Sequence, residues 1–169
     1  MDYKKLYDQV YTIAPTYGDF NHGRGAVEFV RFYNFRSIIE LGCGSGEWLR
    51  TVDPPQGVGV DVSSPGADLT LDITRGLPFD DDSFDLVAAF DVLEHIGFDD
   101  MISVLFEIRR IAPRAIVSIG YGPSGHKHPG VDELHRTIMD QKQWIKVIKD
   151  SGMIFNRIIP PKYLCFGEW

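Results

Sequence analysis

Three glycines fall within five residues, Gly42, Gly44 and Gly46, at the end of the apolar run S-I-I-E-L (37–41), and Glu40 stands just before them. Glycine has no Cβ, so such a turn bends sharply and lets a ligand lie against the backbone. Roughly 20 residues on, at the spacing expected of a ribose-binding carboxylate, Asp61 ends a second apolar run. A carboxylate there can accept hydrogen bonds from two ribose hydroxyls. Asp72 ends a third run and offers an acceptor for an adenine amino group. A G-x-G-x-G turn alone is also compatible with a bare strand-to-helix turn, but the two aspartates favour a nucleoside-bearing ligand. A dinucleotide would satisfy both. Glu40 weighs the other way, because a negative charge beside the turn suits a cation better than a pyrophosphate.

A second concentration of titratable groups lies in Y-G-P-S-G-H-K-H-P-G-V-D-E-L-H-R-T (121–137). It holds His126, His128 and His135, three of the five histidines, with Asp132 and Glu133. Neutral imidazole accepts a proton near pH 7, so a general base acting on a hydroxyl or amine is one reading. Ordinary loop hydrogen bonding is another. A metal site is a third, although this spacing matches no known ligand signature, and no metal is expected. The four N-terminal tyrosines Tyr3, Tyr7, Tyr11 and Tyr17 precede H-G-R-G (22–25). The first three recur every fourth residue, on one helix face, which fits either a docked amphipathic helix or a lid.

These groups need a frame to hold them. Apolar runs with little alternation occupy 37–41, 56–62, 68–71, 84–90 and 114–120, as expected for strands covered on both faces. Helical patterns fall between them at about 25–33, 47–52, 98–111 and 140–151, with Pro113 stopping the longest. The end differs: 153–159, Pro160-Pro161, then 162–166 reads as two strands joined by a rigid turn. The expected fold is one doubly wound α/β domain over 1–169, a mostly parallel seven-stranded sheet with an antiparallel C-terminal strand.

Composition narrows the setting. With 169 residues, 44% hydrophobic and 24% charged, the chain can bury a full core. A net charge of −7 disfavours a broad nucleic-acid footprint. The first residues carry Asp2, Lys4, Lys5 and Asp8, so no signal peptide is expected, and no run is long enough for a membrane span. Cys43 and Cys165 show no metal or redox spacing, and a reduced, cytoplasmic protein is expected. Cys43 reads as a buried filler, Asp80-Asp81-Asp82 as a solvated turn, and Asp53-Pro54-Pro55-Gln56 as a turn.

The run E-L-G-C-G-S-G (40–46), then G-V-G-V-D-V-S (57–63), L-P-F-D-D-D-S-F-D-L-V (77–87) and D-V-L-E-H-I (91–96) resembles, in order and spacing, the class I S-adenosylmethionine-dependent methyltransferases. The likeness spans about 37–120, with a looser echo to 152. It implies that Glu40 and the Gly42–Cys43–Gly44–Ser45–Gly46 turn hold the methionine moiety of S-adenosylmethionine. Asp61 would take the ribose, with Val62 beside the adenine and Asp72 and Ile73 at its edge. Asp91, Val92 and Leu93 would lie near the sulfonium. Arg24 is a candidate for the cofactor carboxylate. Leu134-His135 to Trp144 is similar to an L-H-x-T arrangement followed by tryptophan in small acidic methyltransferases, which favours His135 in a positioning role. Trp144 is expected in the core, and His95 near the active face. With no inserted recognition domain visible, a small-molecule acceptor is favoured over a macromolecule. A non-catalytic cofactor-binding partner subunit, a nicotinamide oxidoreductase, and lyase or aminopropyl-transfer chemistry on the same cofactor remain alternatives.

Overall fold

The computed structural model describes residues 1–17, 22–124, 133–159 and 164–169. In chain order the elements are α1 (Tyr3–Ile13), α2 (Val27–Tyr33), β1 (Ser37–Leu41), α3 (Glu47–Val52), β2 (Gln56–Asp61), β3 (Leu69–Thr70), β4 (Leu86–Phe90), α4 (Phe98–Ile111), β5 (Arg114–Ser118), α5 (Gln141–Asp150), β6 (Ile154–Ile159) and β7 (Leu164–Glu168). Short 3-10 turns cover His22–Ala26, Ile73–Arg75 and Leu93–His95. The strands form one sheet in the order β3-β2-β1-β4-β5-β7-β6. Pairings from β3 through β5 are parallel, and β7 runs antiparallel to both β5 and β6. Strand order reverses between β1 and β4. Crevices for ligands open at the carboxyl ends of strands at such a point.

Side chains alternate across the pleat and divide the core in two. Ile39, Leu41, Val87, Ala89, Ala115 and Val117 face α4 and α5, where they meet Met101, Leu105, Ile108 and Trp144. Ile38, Leu86, Ala88 and Ile116 face α2 and α3, against Val30, Trp48, Leu49 and Val52. Both faces of the central strands are therefore dry, which is why their sequences show little polar alternation.

Several boundaries follow from local hydrogen bonds. β4 begins at Leu86, later than the apolar run, because the amides of Phe84 and Asp85 go to Ile111 O and Ser37 O. The Asp85 carboxylate accepts from the amides of Arg36 and Ser37 at 2.8 and 3.0 Å, clamping the entry of β1. Asp53, with φ 54°, ends α3 in a left-handed turn, so the Asp53-Pro54-Pro55 stretch is the turn its composition suggests. α5 starts with a full capping box, Asp140 accepting from the Gln143 amide while Gln143 reaches back. The C-terminal pair is 154–159 and 164–168, so the last strand lies two residues later than its composition suggests. Its register places Arg114 opposite Glu168, which pair at 3.7 Å. The Pro160-Pro161 turn lies outside the described residues.

α1 is fastened at its first turn. The Tyr3 hydroxyl accepts from the Gly97 amide at 2.8 Å and donates to Asp100 at 3.0 Å, tying α1 to the start of α4. Further along, Val10 packs with Leu134, flanked by Leu6, Tyr7 and Tyr17. α1 thus lies across the carboxyl ends of the strands.

Candidate active site

A cavity of about 530 Å³ opens there, within the range of small-ligand sites. Its floor is the turn between β1 and α3. Gly42, Gly44 and Gly46 have φ of 67°, 51° and 72°, a region where other residues are strained. A Cβ on Gly42 would stand 2.4 Å from Val92 Cγ2, so the turn needs the missing side chain for space as well as conformation. Gly42, Cys43, Gly44 and Ser45 line the cavity, whereas Gly46 packs against Arg50 and Gly66 behind it.

Asp61 organises the next wall. Its carboxylate accepts from the Gly44 amide at 3.1 Å and from the Ser63 and Ser64 amides at 3.0 and 2.9 Å. Ser64 Oγ donates to Gly44 O at 2.6 Å, so the glycine turn and the end of β2 hold each other. Asp72 lines the wall beyond, with Val62 and Ile73. Its carboxylate accepts from the Thr74 amide at 3.0 Å and hydroxyl at 2.7 Å, and pairs with Arg75 Nε at 3.3 Å. On the other side, Asp91 and Val92 line the cavity, and Asp91 accepts from Ser118 Oγ at 2.8 Å. Leu93 is turned into the main core, 1% exposed, and is not part of the lining.

Glu40 is 4% exposed and faces the same space, and its Oε2 has no hydrogen-bond partner among the described residues. Burial, reinforced by the Asp61 charge, pushes its carboxyl up to about 8 against partial relief from the Leu49 backbone and Arg50. Cys43 is buried, and burial first, then Asp61 and Glu40, raises its thiol, so it is an inert filler. Arg24 lies outside the lining. It is 76% exposed and stands 3.7 Å from Glu47, a residue of the rim.

The roof is aromatic. Tyr3, Tyr7 and Tyr11 of α1 line the cavity, with Tyr17 from the turn that follows, so α1 is docked and also covers the site. Burial raises the Tyr7 and Tyr11 hydroxyls and pushes Tyr17 up to about 12, leaving all three neutral. Trp48 and Phe90 meet edge to face at 4.7 Å, and Trp48 Nε1 donates to Gly23 O at 2.8 Å. A Cβ at Gly23 would clash with both rings, at 2.6 Å.

At the far end, His135 meets His95 in a T-shaped contact with ring centroids 4.8 Å apart. Glu94, fully buried, accepts from the Gly120 amide through Oε1. Its backbone oxygen accepts from the Arg136 and Thr137 amides at 2.7 and 3.0 Å, pinning the Leu134–Thr137 segment to the turn after β4. His126 and His128 lie outside the described residues. Sequence reasoning passed over Glu94, Gly120, Trp48 and Phe90. The D-V-L-E-H-I motif was the available signal for Glu94; nothing local marks Gly120. Asp80, Asp81 and Asp82 are exposed, and Asp81 pairs with Arg110 at 3.0 Å.

A glycine turn after β1, a carboxylate ending β2 and a sheet with β7 inserted between β5 and β6 define the class I methyltransferase fold. The methyltransferase-domain family model matches residues 21–146, and the chain belongs to that family. No curated protein matches the sequence significantly. Among solved structures, the PH0226 protein of Pyrococcus horikoshii superposes with TM-score 0.69 at 16% identity, over 95% of this chain and 98% of that one. The 1,6-didemethyltoxoflavin-N1-methyltransferase of Burkholderia thailandensis, with bound 1,6-didemethyltoxoflavin and S-adenosylhomocysteine, superposes with TM-score 0.65 at 13% identity, over 99% of this chain and 90% of that one. An S-adenosylmethionine-dependent methyltransferase from Mesorhizobium loti gives TM-score 0.60 at 16% identity, over 87% and 99%. Among the described residues no helix is long and apolar enough to cross a membrane.

Proposed function

We propose that the chain binds S-adenosylmethionine in this cavity and transfers its methyl group to a small-molecule acceptor held under α1. The observation that carries the reading is Glu40: a buried carboxyl whose Oε2 has no partner among the described residues, beside a glycine turn that leaves room for a ligand, is poised for a cation. The cofactor is cationic at both its sulfonium and its ammonium. In this reading Gly42–Gly44 accommodate the methionine moiety, Asp61 accepts from the ribose, and Val62, Asp72 and Ile73 frame the adenine. Asp91 and Val92 lie beside the sulfonium, leaving the acceptor between the tyrosine roof and His135. Arg24, on the rim, is available to the cofactor carboxylate only if its side chain swings inward from Glu47.

A sulfonium methyl is already activated, so displacement needs alignment of the nucleophile and exclusion of water. The aromatic roof over the cavity favours the second. The size of the cavity favours a small acceptor, as does the small-molecule methyltransferase among the structural neighbours. The test is calorimetry with S-adenosylmethionine on ligand-stripped protein, followed by a metabolite screen for S-adenosylhomocysteine release. Micromolar binding and acceptor-dependent release support the proposal. Binding of a nicotinamide dinucleotide instead would overturn it, and cofactor binding without turnover would identify a non-catalytic subunit.

A further inference from the structure

Glu94, His95 and His135 present three potential ligand atoms that all lie within 4.8 Å of one another. The protonation pattern of the cluster is readable from its hydrogen bonds. His135 Nδ1 stands 2.7 Å from Gly122 O, and a carbonyl can only accept, so Nδ1 carries the proton and Nε2 keeps its lone pair. His95 is held by the Leu134 backbone, and its Nδ1 is buried with no partner among the described residues. Glu94 is fully buried; its Oε1 is taken by Gly120, and Oε2 has no partner among the described residues. With Glu94 ionised, three acceptors therefore lie close together, and no other side chain or amide among the described residues donates to the two orphaned ones.

The surroundings keep that point open. A Cβ on Gly120 would stand 2.9 Å from Glu94 Oε1 and 3.0 Å from His135 Cε1, so a side chain there would fill the cradle. With Glu94 ionised, a single water has only two hydrogens for three acceptors. A divalent cation can satisfy all three. His135 has its other nitrogen tied to a backbone carbonyl and His95 interacts with the Leu134 backbone, the arrangement that orients histidine ligands toward a metal. Two imidazoles and a carboxylate suit zinc, cobalt, nickel or iron rather than magnesium or calcium, which prefer all-oxygen shells.

We propose that Glu94, His95 and His135 form a binding site for one divalent transition-metal ion at the acceptor end of the cavity. Metal–ligand bonds of about 2.0–2.2 Å require the three ligands to draw somewhat closer than they stand. His95 and His135 both line the cavity, so the remaining coordination positions face the acceptor. The favoured acceptors are then those with an oxygen donor beside the atom to be methylated. That last step rests on the methyltransferase reading; the metal site itself does not.

The test is a titration of chelator-stripped full-length protein with Co²⁺, read by ligand-field absorption, and with Zn²⁺, read by calorimetry. S-adenosylmethionine binding is measured in parallel on the same samples. One equivalent is expected, with the strong visible bands of a four- or five-coordinate cobalt centre. Glu94→Gln and His135→Ala should each weaken affinity by about 100-fold or more, beyond the loss seen for outer-shell changes. His135→Ala, at a half-buried position, serves if Glu94→Gln fails to fold. Absence of stoichiometric uptake, or uptake unchanged in His135→Ala, would overturn the site even if the cofactor still binds. Metal uptake without cofactor binding would support the site and refute only the methyltransferase reading.

Discussion

Replacing Glu40 by glutamine separates charge from shape in the proposed cofactor site. In the free protein its carboxyl is pushed up to about 8, so at pH 6 about 99% of it is protonated and at pH 8 about half. A cation bound beside it favours the ionised form by up to about 1000-fold, the upper end of opposite-charge effects, and returns the carboxyl toward the ordinary carboxylate range. Binding then expels close to one proton at pH 6–7, and affinity falls as pH drops, by about 50-fold from pH 8 to pH 6. Glu40→Gln has no proton to expel. Its affinity should be nearly flat over that range, about 10-fold below wild type at pH 6 and several hundred-fold below at pH 8. The free protein should respond in the opposite sense. A carboxyl whose folded value lies above its unfolded one of 4.5 contributes stability that is complete below 4.5 and lost as pH rises through about 8. By pH 8 the loss approaches about 4 kcal/mol. Glu40→Gln removes it, and the ligand-free variant should melt several degrees higher than wild type at pH 8. Calorimetry in buffers of different ionisation enthalpy counts the proton, and thermal melts read the stability. Cofactor affinity that is pH-independent in wild type, or a variant that binds as tightly at pH 8, would refute the placement of a cation against Glu40.

Asp61→Ala removes the acceptor of three backbone amides, at Gly44, Ser63 and Ser64. It should abolish measurable cofactor binding and cost about 2–4 kcal/mol in denaturant melts, since several charge-assisted bonds are lost together. Gly42→Ala combines a positive φ with a Cβ 2.4 Å from Val92. It should destabilise by about 2–3 kcal/mol, and Val92→Ala in the same chain should restore part of that loss but not the strain. Tyr3→Phe deletes the hydroxyl shared by Gly97 and Asp100. A loss of about 1–2 kcal/mol is expected, with faster amide exchange confined to α1; unchanged exchange there would show that α1 is held mainly by Val10 and Leu134.

The extent of the agreement between sequence and structure differs by element. α3 and α4 run over 47–52 and 98–111 as their patterns indicate, because helical spacing, the glycines before them and Pro113 after α4 are local signals. β1 occupies 37–41 for the same reason: an unbroken apolar run meets a glycine that cannot continue it. Ends of strands were less legible. β2 stops at Asp61, and β3 is two residues long, its pairing with β2 confined to Val60–Leu69 and Asp61–Thr70. Trp144 is in the core, as its helical position indicates. The roles of His126 and His128 rest on composition alone.

Residue order by itself determined the parts whose cause is short-range: the glycine turn, the carboxylates of Glu40, Asp61 and Asp72 at strand ends, and the tyrosine face of α1. Each depends on backbone freedom or periodicity among near neighbours. Tertiary structure alone decided that β7 slips between β5 and β6, and that His135 meets His95 over a buried Glu94. It also decided that Arg24 turns out toward Glu47 and Leu93 into the core. Those outcomes follow from which chain crossings bury both faces of the sheet and pair its backbone, and such a balance belongs to the whole fold rather than to any stretch of it.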